Sequence, residues 1–190
     1  MNSVWAFVFN YRNMLAAAPL LYAFFSTRWE WENHWAVWTI ASALCLCGAL
    51  IRGWSRLHCN FARRRKKTLA TTGPYALVRN PLYVGNTLVI AGAAVASGLA
   101  WFLPAVLLWA FVVYSATIHH EERRLIERYG EEYIAYRESV PTWIPRRVSS
   151  ARGETSGRFG MDVSLQLLYA FLILVPFALK EIDPLQLWPE

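Results

Sequence analysis

Charge is scarce in this chain of 190 residues: Asp, Glu, Lys and Arg together make 17% of it, against about 25% in soluble domains. With 56% apolar residues and a mean hydropathy of +0.25, that shortage excludes a disordered tail and an ordinary soluble enzyme core. Cysteine is also sparse, with three residues. Cys45 and Cys47 lie two apart on a predicted helix and point away from each other. Cys59 stands alone in a segment read as cytoplasmic and reducing. Neither a disulfide nor a metal pair follows, and all three read as packing residues. His119 and His120 diverge by about 100° on a helix. With no third ligand at suitable spacing, no metal site is expected. Repeats and low-complexity runs are lacking, and residues 148–157, rich in Ser, Gly and Arg, read as a connector.

What the chain has in quantity is apolar and aromatic surface. Aromatics make 15% of it, including ten Trp, a composition suited to a membrane interface. A spanning helix needs about 20 largely apolar residues. Residues 34–51, 82–95, 102–118 and 163–179 are the candidates, the second of them short and the last with Pro176 near its end. Residues 4–25 form a fifth candidate, whose Asn10, Arg12 and Asn13 would face a bundle interior. No basic segment precedes that first run and Arg12 sits inside it, so a cleaved signal peptide is not expected.

The net charge of +6 is unevenly placed. Residues 52–79 and 123–158 hold 16 of the 19 Lys and Arg residues. Long apolar runs flank both stretches, which argues for cytoplasmic anchoring and against nucleic-acid binding. The run at 63–67 suits contact with anionic lipid headgroups. One orientation satisfies every loop: a cytoplasmic amino terminus puts both basic stretches inside and residues 26–33 and 181–190 outside. The expected fold is all-α, an integral membrane protein with about five transmembrane helices.

Chemistry is most legible in the two cytoplasmic stretches. In the first, Gly73-Pro74 sets a turn, and Pro81 biases Asn80 away from helix while suiting the first turn of the next one. Gly85 permits close backbone or ligand approach. The exposed amides at that helix start favour an anionic group such as a carboxylate, although a plain membrane-entry turn with interfacial tyrosines would look the same. In the second stretch, residues 118–128 extend the fourth span as a helix. Gly130 ends it, and residues 131–139 form a short helix stopped before Pro141. Glu121 and Glu122 fall at the membrane boundary, where a carboxylate requires a partner, either a neighbouring arginine or a cationic ligand.

Together these residues resemble the isoprenylcysteine carboxyl methyltransferase and phospholipid methyltransferase group of integral membrane enzymes. The likeness covers roughly residues 60–145. It runs through Lys67-Thr68-Leu69, Gly73-Pro74-Tyr75 and Arg79-Asn80-Pro81-Leu82-Tyr83-Val84-Gly85, whose family form is Arg-His-Pro-x-Tyr-x-Gly. It continues in Glu121-Glu122 with Leu125, in Tyr129-Gly130-Glu131-Glu132-Tyr133, and in Tyr136 and Val140-Pro141.

The resemblance implies S-adenosylmethionine as cofactor, in a cytoplasmic pocket formed by the carboxy-terminal half. Carried over by position, its contacts are Asn60, Lys67, Thr68, Leu69, Ala70, Tyr75, Asn80, Pro81, Leu82, Tyr83 and Glu121. The implied division is one membrane domain, 1–190, with amino-terminal spans in 1–58, the cofactor-binding core in 59–147, and a connector and last span in 148–190. Three departures stand out: Asn80 replaces the family histidine, Thr117 stands where the prenylcysteine enzymes carry an arginine, and Ser139 stands where arginine often precedes Val-Pro.

Methyl transfer from a sulfonium is an in-line displacement that rests on positioning and a dry site. An anionic acceptor attacks directly, whereas an amine must first lose a proton. His119, His120 and Glu122 are the candidate catalytic bases. The expected activity is methylation of a lipophilic acceptor that enters from the bilayer, of isoprenylcysteine carboxyl methyltransferase type. The alternatives are a phosphatidylethanolamine-type N-methyltransferase, an NADPH-dependent sterol-type membrane reductase and a non-catalytic membrane scaffold. Membrane lipids and a lipidated substrate are the expected partners.

Overall fold

The computed structural model describes residues 3–25, 34–62, 68–99, 101–145 and 159–182. Among them it is all-helical: α1 (Ser3–Phe25), α2 (His34–Phe61), α3 (Pro81–Ala96), α4 (Phe102–Tyr129), α5 (Glu131–Ser139) and α6 (Phe159–Ile182). A short 3-10 turn, Gly73–Ala76, precedes α3. The basic run at 63–67, the loop at 26–33 and the connector at 148–157 lie outside the described residues, as do 183–190.

Local signals set most of these boundaries. Pro81 occupies the first turn of α3, where its missing N–H costs nothing. Gly130, at φ 55°, ends α4, and its N–H donates to the Ile126 carbonyl at 2.8 Å. Glu131 and Glu132 then occupy the first turn of α5 and Arg137 its last, matching the helix dipole at both ends.

The centre of the bundle is the α2–α3 pair, brought close by small side chains. A Cβ at Gly48 would lie 2.6 Å from the Gly85 carbonyl oxygen, and one at Gly85 would lie 2.8 Å from that of Gly48. One heptad further along α3, a Cβ at Gly92 would lie 2.5 Å from Cys45 Sγ. Close approach through small residues is how helices associate where water supplies no driving force. The Cys45 thiol donates to the Val89 carbonyl at 3.6 Å, and all three cysteines are free.

α2 runs ten residues past the expected end at 51. Arg52, Gly53 and Arg56 interrupt the apolar run, but Ser55, Leu57 and His58 are buried on the continuing helix. His58 packs against Gly73 so closely that a Cβ there would lie 2.3 Å from the imidazole Nε2. The turn thus holds the helix in place, a tertiary effect that no local pattern announces.

Among the described residues two helices are long and apolar enough to cross a membrane, Trp35–Asn60 and Phe102–Tyr129, and Pro81–Ala96 and Ser164–Leu179 are shorter apolar helices. Their outward faces carry large exposed apolar side chains, among them Trp35, Leu108, Phe111 and Phe171.

Candidate functional site

The segment between α2 and α3 is held at both ends. Thr68 N–H donates to the Ala62 carbonyl at 3.1 Å, and Leu77 and Val78 N–H both donate to the Pro74 carbonyl at 3.2 Å. Gly73, at φ 62°, makes the turn that seats on His58.

Arg79 fastens this segment to α5. Its Nε donates to Glu122 Oε1 at 3.0 Å, with each side chain only 12% exposed. One terminal nitrogen donates to the carbonyls of Arg137 and Val140, both at 2.7 Å, and the other to Thr142 Oγ1 at 2.6 Å. Its own N–H donates to the Pro141 carbonyl at 2.9 Å. A planar guanidinium satisfies these acceptors together, where a lysine ammonium could not. The Tyr136 hydroxyl adds a bond to the Tyr75 carbonyl at 2.7 Å. Burial pushes the phenols of Tyr75, Tyr133 and Tyr136 above their ordinary range, so Tyr136 remains a donor at neutral pH.

Between these elements lies a cavity of about 950 Å³. Its walls are stripes at helical spacing: Arg52, Arg56 and Cys59 on α2, Tyr83, Asn86 and Ile90 on α3, and Tyr114, Glu121, Leu125 and Arg128 on α4. At 1.5 Å per residue, the stripe from Tyr83 to Ile90 reaches about 10 Å into the bundle. Tyr75 and the start of α3 line the shallow end, and Ala17 and Leu20 of α1 and Tyr169 of α6 complete the wall. Seven of the chain's nine tyrosines line it, with five arginines and Glu121.

Two features tie the shallow end to the deep one. The Tyr83 hydroxyl donates to Glu121 Oε1 at 2.9 Å, and its ring packs on that of Tyr114 with centroids 5.0 Å apart. Asn80, at the start of α3, has a buried Nδ2 with no hydrogen-bond partner. A buried donor left unpaired costs about 1–3 kcal/mol, and this one belongs to a residue of the cavity wall.

Of the eleven residues expected to contact a cofactor, eight line this one cavity: Leu69, Ala70, Tyr75, Asn80, Pro81, Leu82, Tyr83 and Glu121. Asn60 and Thr68 are described but are not among the lining residues, and Lys67 lies outside the described residues. The three expected bases stand apart from the cavity wall. Glu122 is engaged by Arg79, His119 is exposed and His120 half-buried. Thr117 is fully buried, its hydroxyl bonded to the Val113 carbonyl at 2.9 Å.

Sequence reasoning missed Arg52, Asn86, Tyr114 and Tyr169, and drew the pocket from the carboxy-terminal half, whereas α1 and α2 also supply its wall. The available signals were the spacing of Arg52, Arg56 and Cys59 and the heptad from Tyr114 to Glu121. Among the described residues no group of three or more His, Cys, Asp or Glu is placed to hold a metal.

A family model described as phospholipid methyltransferase matches residues 35–132. The chain is 37% identical over 131 residues to the cobalt-zinc-cadmium resistance protein CzcN of Cupriavidus metallidurans, covering 67% of this chain and 58% of that protein. It is 29% identical over 146 residues to the nickel-cobalt-cadmium resistance protein NccN of Alcaligenes xylosoxydans xylosoxydans, covering 75% of this chain and 66% of that protein. It is 36% identical over 96 residues to the protein-S-isoprenylcysteine O-methyltransferase of Schizosaccharomyces pombe, covering 49% of this chain and 40% of that protein. The chain therefore spans less than two thirds of the length of these curated relatives. No solved structure matches it.

Proposed function

The chain belongs to the phospholipid methyltransferase family, and from that premise we propose that it is a membrane-embedded, S-adenosylmethionine-dependent methyltransferase of isoprenylcysteine O-methyltransferase type. The observation that carries the reading is the convergence of Tyr75, Asn80, Tyr83 and Glu121 on one cavity. Residues chosen for their likeness to a family motif lie up to 61 positions apart in sequence between Asn60 and Glu121, and most of them meet around a single hollow.

The chemistry of the wall fits this cofactor. Glu121, with the Tyr83 hydroxyl beside it, suits an ammonium group. The unpaired Asn80 Nδ2 and the amino-terminal end of α3 suit a carboxylate. The tyrosine faces suit an adenine ring. Bound there, S-adenosylmethionine supplies a methyl group activated on a sulfonium. This chain's own contribution is to orient the acceptor and keep water out, which the Arg79 clamp serves by holding α5 over the shallow end.

The charges of the wall favour an acceptor that is already an anion. An amine acceptor requires a base beside it. His119, His120 and Glu122 do not line the cavity, and Glu121 is engaged by Tyr83. This supports an ester-forming reaction on a carboxylate over methylation of a phospholipid amine. We further propose that α1, α2, α3, α4 and α6 are five spans with the site at the cytoplasmic face. The apolar outer faces and the clustering of arginine at the ends of α2 and α4 support that orientation.

The test is incubation of the purified protein with radiolabelled methyl donor and a total lipid extract. Label released by mild base identifies an ester and supports the carboxylate reading. Label that resists base points to a nitrogen acceptor, and no labelled lipid refutes the activity.

A further inference from the structure

Beside Asn86, one turn along α3 from Tyr83, Arg52 sits half-buried on α2 with its side chain against Gly85 of the motif segment. Its Nε donates to Gln166 Oε1 of α6 at 2.9 Å and a terminal nitrogen donates to Asn86 Oδ1 of α3. The guanidinium carbon lies 4.4 Å from the centroid of the Tyr169 ring. All of these partners are neutral, and no carboxylate among the described residues pairs with Arg52. The contrast with Arg79, which has Glu122, is direct. An arginine within an apolar helix bundle is costly and calls for a counter-charge. Here the surroundings fix the fork from three sides through neutral groups and the face of the Tyr169 ring, with no counter-ion among the described residues. The neighbouring Tyr114 hydroxyl, also on the cavity wall, is buried beside Asn86 without a hydrogen bond of full geometry. A fixed cation and a buried phenol hydroxyl thus share a stretch of the cavity wall that adjoins the motif residues Tyr83 and Gly85.

We propose that Arg52, with the Tyr114 hydroxyl, binds the anionic oxygens of the acceptor and so determines which acceptors the enzyme takes. The proposal rests on the methyltransferase reading given above and assigns the acceptor end of that site. The ligand chemistry is a carboxylate or a phosphodiester on a lipophilic chain, bound through charge-assisted hydrogen bonds. Gln166 and Asn86 are positioning residues, since they act by orienting Arg52.

The experiment compares wild type with Arg52→Gln and Arg52→Lys, using a farnesyl thioether with a free carboxylate, the same thioether as its amide, and phosphatidylethanolamine. Binding of S-adenosylhomocysteine is measured first on each variant, and affinity equal to wild type certifies the fold of the shallow end. Methyl transfer and acceptor competition are then read. The expected result is that the carboxylate thioether competes at least tenfold better than the amide on wild type. Its KM should rise about 10- to 100-fold in Arg52→Gln and less in Arg52→Lys. Amide binding should be unmoved by either change. A phosphodiester ligand gives the same loss with phosphatidylethanolamine in place of the thioether. Carboxylate and amide bound equally by wild type, together with phosphatidylethanolamine turnover unchanged in Arg52→Gln, overturns the proposal. Unchanged KM in a variant that binds S-adenosylhomocysteine normally overturns it too. Failure of wild type to bind S-adenosylhomocysteine would instead count against the methyltransferase reading itself.

Discussion

Replacing Arg79 by Met should release α5 from the rest of the molecule. The substitution removes the cation from Glu122, which is 12% exposed, and strips the Arg137 and Val140 carbonyls and the Thr142 hydroxyl of their donor. Breaking a buried ion pair by removing one partner costs about 3–5 kcal/mol, because the remaining charge stays buried and alone. The loss falls on one short helix and its flanks, so it should appear as local opening. About 3 kcal/mol corresponds to roughly a 100-fold fall in hydrogen-exchange protection. Exchange measured by mass spectrometry should therefore show at least that fall over residues 131–139, with α2 and α3 unchanged. Glu122→Gln alone should cost less, and the double variant should cost less than the sum of the two singles, with a coupling of about 1.5–3 kcal/mol. A fall in protection below tenfold in Arg79→Met, or strict additivity in the cycle, would refute the clamp.

Three further outcomes follow from the same structure. Asn80→Leu removes a buried donor that has no partner and no capping bond, so apo stability should hold or rise slightly while affinity for S-adenosylhomocysteine falls about fivefold or more by calorimetry. Loss of stability with unchanged affinity would contradict that. Gly48→Ala forces a Cβ to within 2.6 Å of the Gly85 carbonyl oxygen, and moving two packed backbones apart should cost about 1–3 kcal/mol. A variant as thermostable as wild type would exclude the tight α2–α3 contact. The phenols of Tyr75, Tyr133 and Tyr136 are raised by burial above the usual tyrosine value of 10. Their folded forms hold protons that the unfolded chain would release, so the stability they contribute is complete below pH 10 and is lost as pH rises above it. Spectrophotometric titration should show these phenols ionising only as the protein opens in alkali, and ordinary titration near pH 10 in a folded protein would contradict their burial.

The parts of this architecture that could be read from sequence are those fixed by neighbours in sequence. Pro81 starting α3, Gly130 ending α4 and residues 131–139 forming α5 all rest on one or two residues whose backbone preferences decide the outcome. The length of α2 does not, because its last ten residues are secured by His58 packing on a turn that begins at Gly73. The site divides in the same way. Tyr75, Asn80, Tyr83 and Glu121 were legible through a family likeness, and they converge on one cavity. Arg52 reads in the sequence as part of a basic stretch that follows a span. Its partners, Asn86 and Gln166, lie 34 and 114 positions away and carry no charge to mark them. Glu122 was legible as a carboxylate in need of a partner, but that partner is Arg79, 43 positions back, which makes it a fastening of α5.

On the proposed reading, the cavity between α2, α3 and α4 holds a sulfonium nucleotide through Glu121 and its neighbours. Calorimetric titration of the purified protein with S-adenosylhomocysteine tests it most directly, with Glu121→Gln in parallel. Wild type should bind saturably and the variant at least tenfold more weakly, the loss expected when a charged acceptor is neutralised. No binding to wild type, or equal binding to both, would contradict it.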